Sequence, residues 1–212
     1  MLLIAAVDHN ALPSVAELMQ GVLLQVGDKR EAWLRMKEPA AKASVAGVLL
    51  LQALLRRAEL PLEGELKREP LGRPYLTMKG VDLSISHSNR YTVCALDTNT
   101  PALHAVGIDV EDLGGRRPTA NERIVARWFG EEERRRYEQE PTEFCFLSAW
   151  TGKEALSKLT GKGLSSLLQC NTCAPPSGFT LRSFTLEGSV AAVCHRSGVQ
   201  TEEPLLLTLR DL

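Results

Sequence analysis

The chain carries no excess of positive charge. Its 25 lysines and arginines are balanced by 26 aspartates and glutamates, a formal net charge of −1 over 212 residues. The extended basic surface that nucleic-acid binding requires is therefore not expected. Long hydrophobic runs are also missing. The opening "MLLIAAVDHN" is apolar for only seven residues and has no basic flank. It is too short for a signal peptide's apolar region and far too short to cross a bilayer, so a buried first strand is expected. "VAGVLLLQALL" (45–55) is apolar but brief, and Arg56 and Arg57 follow at once. That pattern fits a core helix and gives no reason to expect a membrane.

Cysteines number five, an odd count in a chain without an export signal. A reducing cytoplasm and ordinary free thiols are the expectation. Cys170 and Cys173 have the spacing of half a zinc site, but Cys194 and His195, the candidates to complete it, are adjacent and poorly placed to share one ion. Tandem repeats and low-complexity segments are absent as well. What is present is a two-part rhythm. Strand (2–7), helix (39–59) and paired strands (81–86, 91–96) precede a turn-rich stretch at 97–103. A strand (104–110), helices (119–128, 131–138, 142–159), strands (178–186, 189–195) and a last strand "EPLLLTL" follow it. This order predicts an α+β fold with helices packed on antiparallel sheets, divided into 1–100 and 101–212.

Three stretches could carry chemistry. In "VGIDVEDL" (106–113), Asp109 and Glu111 are two apart on a strand and so share one face. Carboxylates that close repel unless a cation, a proton or a basic group lies between them. Mg²⁺ is one such cation, since it takes one or two carboxylates plus phosphate oxygens, and a charged edge strand beside a lysine or arginine is the plainer alternative. In "SAWTGKEALSKLTGKGL" (148–164), Glu154 and Lys158 are neighbours on one helix face, and Lys153 adds a second cation. A P-loop is excluded, because Leu156 stands where that motif needs glycine and Gly163 where it needs serine or threonine. A glycine-bounded helix end remains. In "DLSISHSNRYTVCAL" (82–96), Ser86, His87 and Ser88 fall at a hairpin mouth that could bind an anion. A hydrolase elbow G-x-S-x-G is not present.

The order and spacing of "GRPYL", "LSISHS", "VGIDVE" and "WTGKEALSK" followed by "GKGL" resemble the phosphopantetheinyl transferases of the surfactin-synthetase type. The resemblance covers residues 70–165 well and the rest more loosely. It implies a pseudo-dimer of two similar α+β halves with coenzyme A in the cleft between them. It also implies Mg²⁺-dependent transfer of 4′-phosphopantetheine from coenzyme A to a serine of an apo acyl or peptidyl carrier protein, with release of adenosine 3′,5′-bisphosphate. Asp109, Glu111 and Glu154 would then hold Mg²⁺, with Glu154 as base, and Lys158 would meet phosphate oxygens. Lys153 sits beside the base with a less defined part. Ser86 and His87 would contact coenzyme A phosphates, and Gly72, Arg73 and Pro74 the adenine, with arginine where lysine is commoner. Lys29 would hold the 3′-phosphate, helped by Lys42, since Ala32 and Ala43 stand at two positions that are basic in the family.

A fused pseudo-dimer completes its site alone, so a monomer is expected. A Mg²⁺-dependent phosphoanhydride hydrolase and a non-catalytic binder of coenzyme A or a carrier domain are the alternatives. The run "GEEERRRYEQE" (130–140) reads first as an exposed helix with internal ion pairs. An arginine face including Arg123, Arg127 or Arg134 is a candidate dock for an acidic carrier.

Overall fold

A computed structural model describes residues 1–98, 100, 104–115, 118–161, 163 and 170–212, with the backbone alone at 118–120 and 209. Residues 99 and 101–103 of the expected boundary, and 162 and 164–169 of the G-K-G-L stretch, lie outside the described residues.

The first strand, β1 (Leu2–Asp8), is buried along both faces, which is why it reads as a continuous apolar run. Leu3, Ala5 and Val7 enter a core with α3 (Glu38–Arg57). Leu2, Ile4 and Ala6 face the opposite way. By length and composition alone α3 could cross a membrane, but most of its apolar residues are packed against the sheet and its neighbouring helices. Two short helices precede it, α1 (Val15–Gln20) and α2 (Lys29–Arg35). Ser14 and Glu17 form a capping box on α1. After α3 come a small ribbon, β2 (Leu66–Arg68) with β3 (Pro74–Leu76), and the hairpin β4 (Val81–His87) and β5 (Tyr91–Thr98).

The second part begins with β6 (Val106–Asp112). Helices α4 (Pro118–Trp128), α5 (Glu131–Gln139) and α6 (Glu143–Thr160) follow, then the hairpin β7 (Phe179–Leu186) and β8 (Ser189–Arg196). The strands form a four-stranded sheet, β4-β5-β1-β9, and a three-stranded sheet, β6-β8-β7. The α+β expectation holds, with two corrections. The last strand, β9 (Leu205–Leu206), is much shorter than "EPLLLTL", and it pairs parallel to β1, so the first sheet is not wholly antiparallel.

The two sheets share a core. Leu2, Ile4, Ala6, Tyr91, Val93 and Ala95 meet Val106, Ile108, Val110, Ala191 and Val193, all buried. Each leucine, isoleucine and valine among them contributes about 1.5–3 kcal/mol on burial. The other face of β6 presents Gly107, Asp109 and Glu111, and α6 packs there. A Cβ on Gly107 would lie 2.0 Å from the carbonyl oxygen of Ala155 and 2.6 Å from the amide nitrogen of Leu159. Only glycine lets helix backbone approach strand backbone so closely. Gly161, at φ 66°, ends α6 in the left-handed conformation, as the glycine-bounded stop predicted.

Candidate active site

The side chains of β4 alternate in a way that builds the site. Leu83 packs into the core with α3, whereas Asp82, Ser84 and Ser86 turn towards β6. Asp82 Oδ2 accepts from the amides of Ala105 (2.7 Å) and Val106 (3.1 Å), and Ser84 Oγ accepts from the amide of Ile108 (3.1 Å). Ser86 Oγ donates to Asp109 Oδ1 (2.8 Å). In the turn beyond, Ser88 Oγ donates to Asp112 Oδ1 (2.6 Å). Polar side chains at every second position thus pin the first sheet to the strand that carries the carboxylates.

Arg73 completes this seam. It is buried, and its guanidinium donates to both oxygens of Asp82 (2.9 and 2.7 Å), to the carbonyl of Val106 (3.0 Å) and to the carbonyl of Lys158 (3.0 Å). The resemblance assigned Arg73 to coenzyme A. Its fork is instead taken up by Asp82 and two carbonyls, so its main work is to hold β6 and the end of α6 together. Gly72, at φ 90°, makes the turn before it, and Pro74 starts β3. We expect Arg73→Lys to lose the bidentate pair and at least one carbonyl bond, a cost of about 1–3 kcal/mol. Urea denaturation of the two proteins measures it, and an unchanged midpoint would refute the assignment.

Lys158 reaches Asp109 from α6. Its ammonium donates to Asp109 Oδ1 (2.6 Å) and Ser86 Oγ (2.7 Å). The close packing at Gly107, one turn of helix away, makes this reach possible. The second oxygen of Asp109, Oδ2, is buried without a hydrogen-bond partner among the described residues. Glu111 is half-buried two residues along the same strand face, and Glu154 is half-buried one helical turn before Lys158.

An oxygen donor set with an orphaned, buried carboxylate oxygen suits a hard divalent cation. Among the described residues no three acidic, histidine or cysteine side chains cluster as a metal site. The charge that sits on Asp109 is that of Lys158. Of the two ways to relieve repulsion along "VGIDVE", the structure displays the basic group.

A cleft of about 400 Å³ opens beside this cluster, lined by Arg68, Gly72, Arg73, Pro74, Ser84, Ile85, Ser157, Lys158, Gly161 and Gly163 among others. It adjoins a smaller groove of about 150 Å³ that contains Lys29, Ala43, Ser44, Arg68, Pro74, Ile85 and His87. Desolvation, then the charge of Arg68, lowers the Lys29 ammonium to a pKa of about 8. Desolvation, then the charges of Lys158 and His9, lowers the His87 imidazole below its ordinary value. Of the residues singled out in the sequence, Gly72, Pro74 and Lys158 line the larger cleft, Lys29 and His87 line the groove that adjoins it, and Ser86 is joined to them through its bond to Lys158.

Two lysines do not join them there. Lys42 donates to the carbonyl of Leu12 (3.3 Å). Lys153 is fully buried, paired with Glu133 (2.7 Å) and donating to the carbonyl of Cys170 (2.5 Å). Glu133 also accepts from Thr172 and from the amide of Gly130, so this ion pair ties α5, α6 and a loop together. Glu133 thus leaves the exposed ladder expected of α5, where Glu132 and Arg136 do pair at 3.4 Å.

Arg68 is the residue the sequence reading missed. It lines both cavities and supplies positive charge where Ala32 and Ala43 do not. Its strand, three residues long, has too little pattern to reveal it.

Residues 105–208 match the 4′-phosphopantetheinyl transferase superfamily. The chain is 30% identical over 146 residues to a 4′-phosphopantetheinyl transferase of Bacillus subtilis, covering 65% of this chain and 61% of that one. It is 29% identical over 143 residues to the 4′-phosphopantetheinyl transferase gsp of Aneurinibacillus migulanus, covering 65% and 56%. A third relative, 4′-phosphopantetheinyl transferase psf-1 of Bacillus pumilus, is 29% identical over 163 residues, covering 74% and 66%. The chain thus spans between 56% and 66% of the length of these relatives. The matched segment contains β6 with its carboxylates and α6 with Glu154 and Lys158, so it is this part of the chain, residues 105–208, that carries the likeness to the 4′-phosphopantetheinyl transferase superfamily.

Proposed function

We propose that this protein transfers the 4′-phosphopantetheine arm of coenzyme A to a serine hydroxyl of an apo acyl or peptidyl carrier protein, releasing adenosine 3′,5′-bisphosphate. The observation that carries the reading is the Asp109–Lys158–Ser86 cluster at the side of a cationic cleft. In this reading residues 1–100 and 101–212 are the two halves of a pseudo-dimer, and coenzyme A lies along the cleft between them. Lys29, Arg68 and His87 hold its phosphates in the narrow groove, and the segment Gly72–Pro74 passes its base. Arg123, Arg127 and Arg134 are exposed on α4 and α5, and an acidic carrier would dock against that face. In this reading one chain supplies the whole site, so the active form is a monomer, and free cysteines suit a reducing cytoplasm.

The serine oxygen of the carrier forms a bond to the β-phosphorus of the coenzyme pyrophosphate, and the bond from that phosphorus to the bridging oxygen breaks. The serine proton passes to the Glu154 carboxylate, because a neutral hydroxyl is a weak nucleophile. Lys158 faces the charge that collects on the departing bisphosphate and stabilises it without covalent chemistry. Asp109, Glu111 and Glu154 would hold Mg²⁺, which when bound neutralises pyrophosphate oxygens as a Lewis acid. Purified protein, coenzyme A and Mg²⁺ should release adenosine 3′,5′-bisphosphate in step with added apo carrier, read by ion-exchange chromatography. Release that does not depend on the carrier would replace this reading with hydrolysis.

Lys29 gives the binding a pH signature. With its pKa lowered from the ordinary 10.5 to about 8, the ammonium is protonated, at a desolvation cost, below pH 8. The unfolded chain binds more protons between the two values, so this cost to stability is fully present below pH 8 and relieved as pH rises. A phosphate in the groove favours the charged form. Coenzyme A affinity should therefore fall as pH rises through about 8, by at most about tenfold per pH unit for a single proton. Calorimetric titrations at pH 7, 8 and 9 test this, and Lys29→Met should flatten the profile. A wild-type affinity independent of pH would exclude Lys29 from the phosphate site.

A further inference from the structure

We infer that Lys158 and a divalent cation are alternative counter-ions of Asp109, so that Lys158 weakens metal binding until substrate phosphate draws its ammonium away. The inference rests on the transferase reading for the identity of that phosphate. Its own grounds are geometric. Asp109 Oδ1 is saturated by two donors, the Ser86 hydroxyl at 2.8 Å and the Lys158 ammonium at 2.6 Å. Asp109 Oδ2 is buried and has no donor among the described residues. A cation binding there would share one carboxylate with an ammonium, and two positive charges that close repel.

The two partners differ in their freedom to move. The Asp109 side chain is 4% exposed and fixed on a strand, whereas that of Lys158 is 31% exposed on a flexible stem. Its α6 backbone is held by the Arg73 bond to its carbonyl, but its ammonium is not, and the adjoining cleft contains the same lysine in its wall. Phosphate oxygens in that cleft offer the ammonium a second anionic site. When it moves, Asp109 keeps the Ser86 bond, and its other oxygen is freed from competition. Metal and phosphate then assist each other's binding, by an equal factor in both directions.

The test titrates Mn²⁺ alone, followed by its paramagnetic resonance signal, into wild type and variants. Lys158→Met removes the competing charge and should bind Mn²⁺ at least about fivefold more tightly than wild type. Lys158→Gln repeats the test should the methionine variant not fold. Lys158→Arg keeps the charge and should bind no more tightly than wild type, and Asp109→Asn should lose the site. Equal or weaker affinity in the neutral variants overturns the inference, as does tightening in Lys158→Arg, or no binding by any of the proteins. Failure of the transferase reading looks different: Lys158→Met would bind Mn²⁺ more tightly while wild type modified no carrier. Transfer by wild type without tightening in the variant would remove this inference and leave the activity.

Discussion

Replacing Asp109 by alanine is expected to lower phosphopantetheine transfer by about 10²–10³-fold and to leave a folded protein. Asp109 is the buried point at which three elements meet, accepting from Ser86 on β4 and Lys158 on α6 while anchored on β6. Its removal deletes a buried carboxylate oxygen that lacks a donor among the described residues, and so a well-placed ligand for a metal. The fold should survive because the ammonium left behind is 31% exposed and can turn to water. A buried ion pair whose remaining charge could not do so would cost about 3–5 kcal/mol. Steady-state transfer rates and a thermal melt on the same preparation check both parts. A variant within about tenfold of wild type would remove Asp109 from the chemistry, since one lost transition-state contact is worth more than that.

Gly107→Ala should do the reverse and damage the structure first. The added methyl would stand 2.0 Å from the Ala155 carbonyl oxygen and 2.6 Å from the Leu159 nitrogen, both backbone atoms. No flexible side chain is there to yield, so α6 must lift away from β6. Overpacking typically costs about 1–3 kcal/mol, and a backbone collision belongs at or above the upper end. Lifting α6 also carries Lys158 away from Asp109, so activity should fall with stability. Denaturant midpoints would report the loss. A change below about 0.5 kcal/mol, the range of an ordinary surface substitution, would mean that the strand and helix do not approach as described.

Sequence reading reached much of this site because its signals are local. The two-residue spacing of Asp109 and Glu111, the four-residue spacing of Glu154 and Lys158, and the glycine after α6 each follow from the periodicity of one element. Long elements such as α3, β4, β5 and β8 were readable for the same reason. Helices α1 and α2 are six and seven residues long, too short for a helical period to declare itself.

The seam between the sheets was hidden by a different cause. Asp82, Ser84 and Ser86 alternate with apolar residues in the manner of a solvated strand face, yet they face β6 and satisfy its amides. A polar side chain that meets water and one that meets a distant backbone amide are written alike in sequence. The same holds for Lys153, whose partner Glu133 lies twenty positions back within a charged run that looks wholly exposed. Arg73 illustrates the opposite risk. Its place in "GRP" suggested a ligand contact, while its geometry shows a brace made of Asp82 and two carbonyls.

The most direct test of the account is the intact mass of an apo carrier protein after incubation with this protein, coenzyme A and Mg²⁺. The account predicts a gain of one phosphopantetheine on wild-type incubation and none with Asp109→Ala. Unchanged carrier mass across a panel of acyl and peptidyl carriers, from a preparation shown to bind coenzyme A, would contradict it.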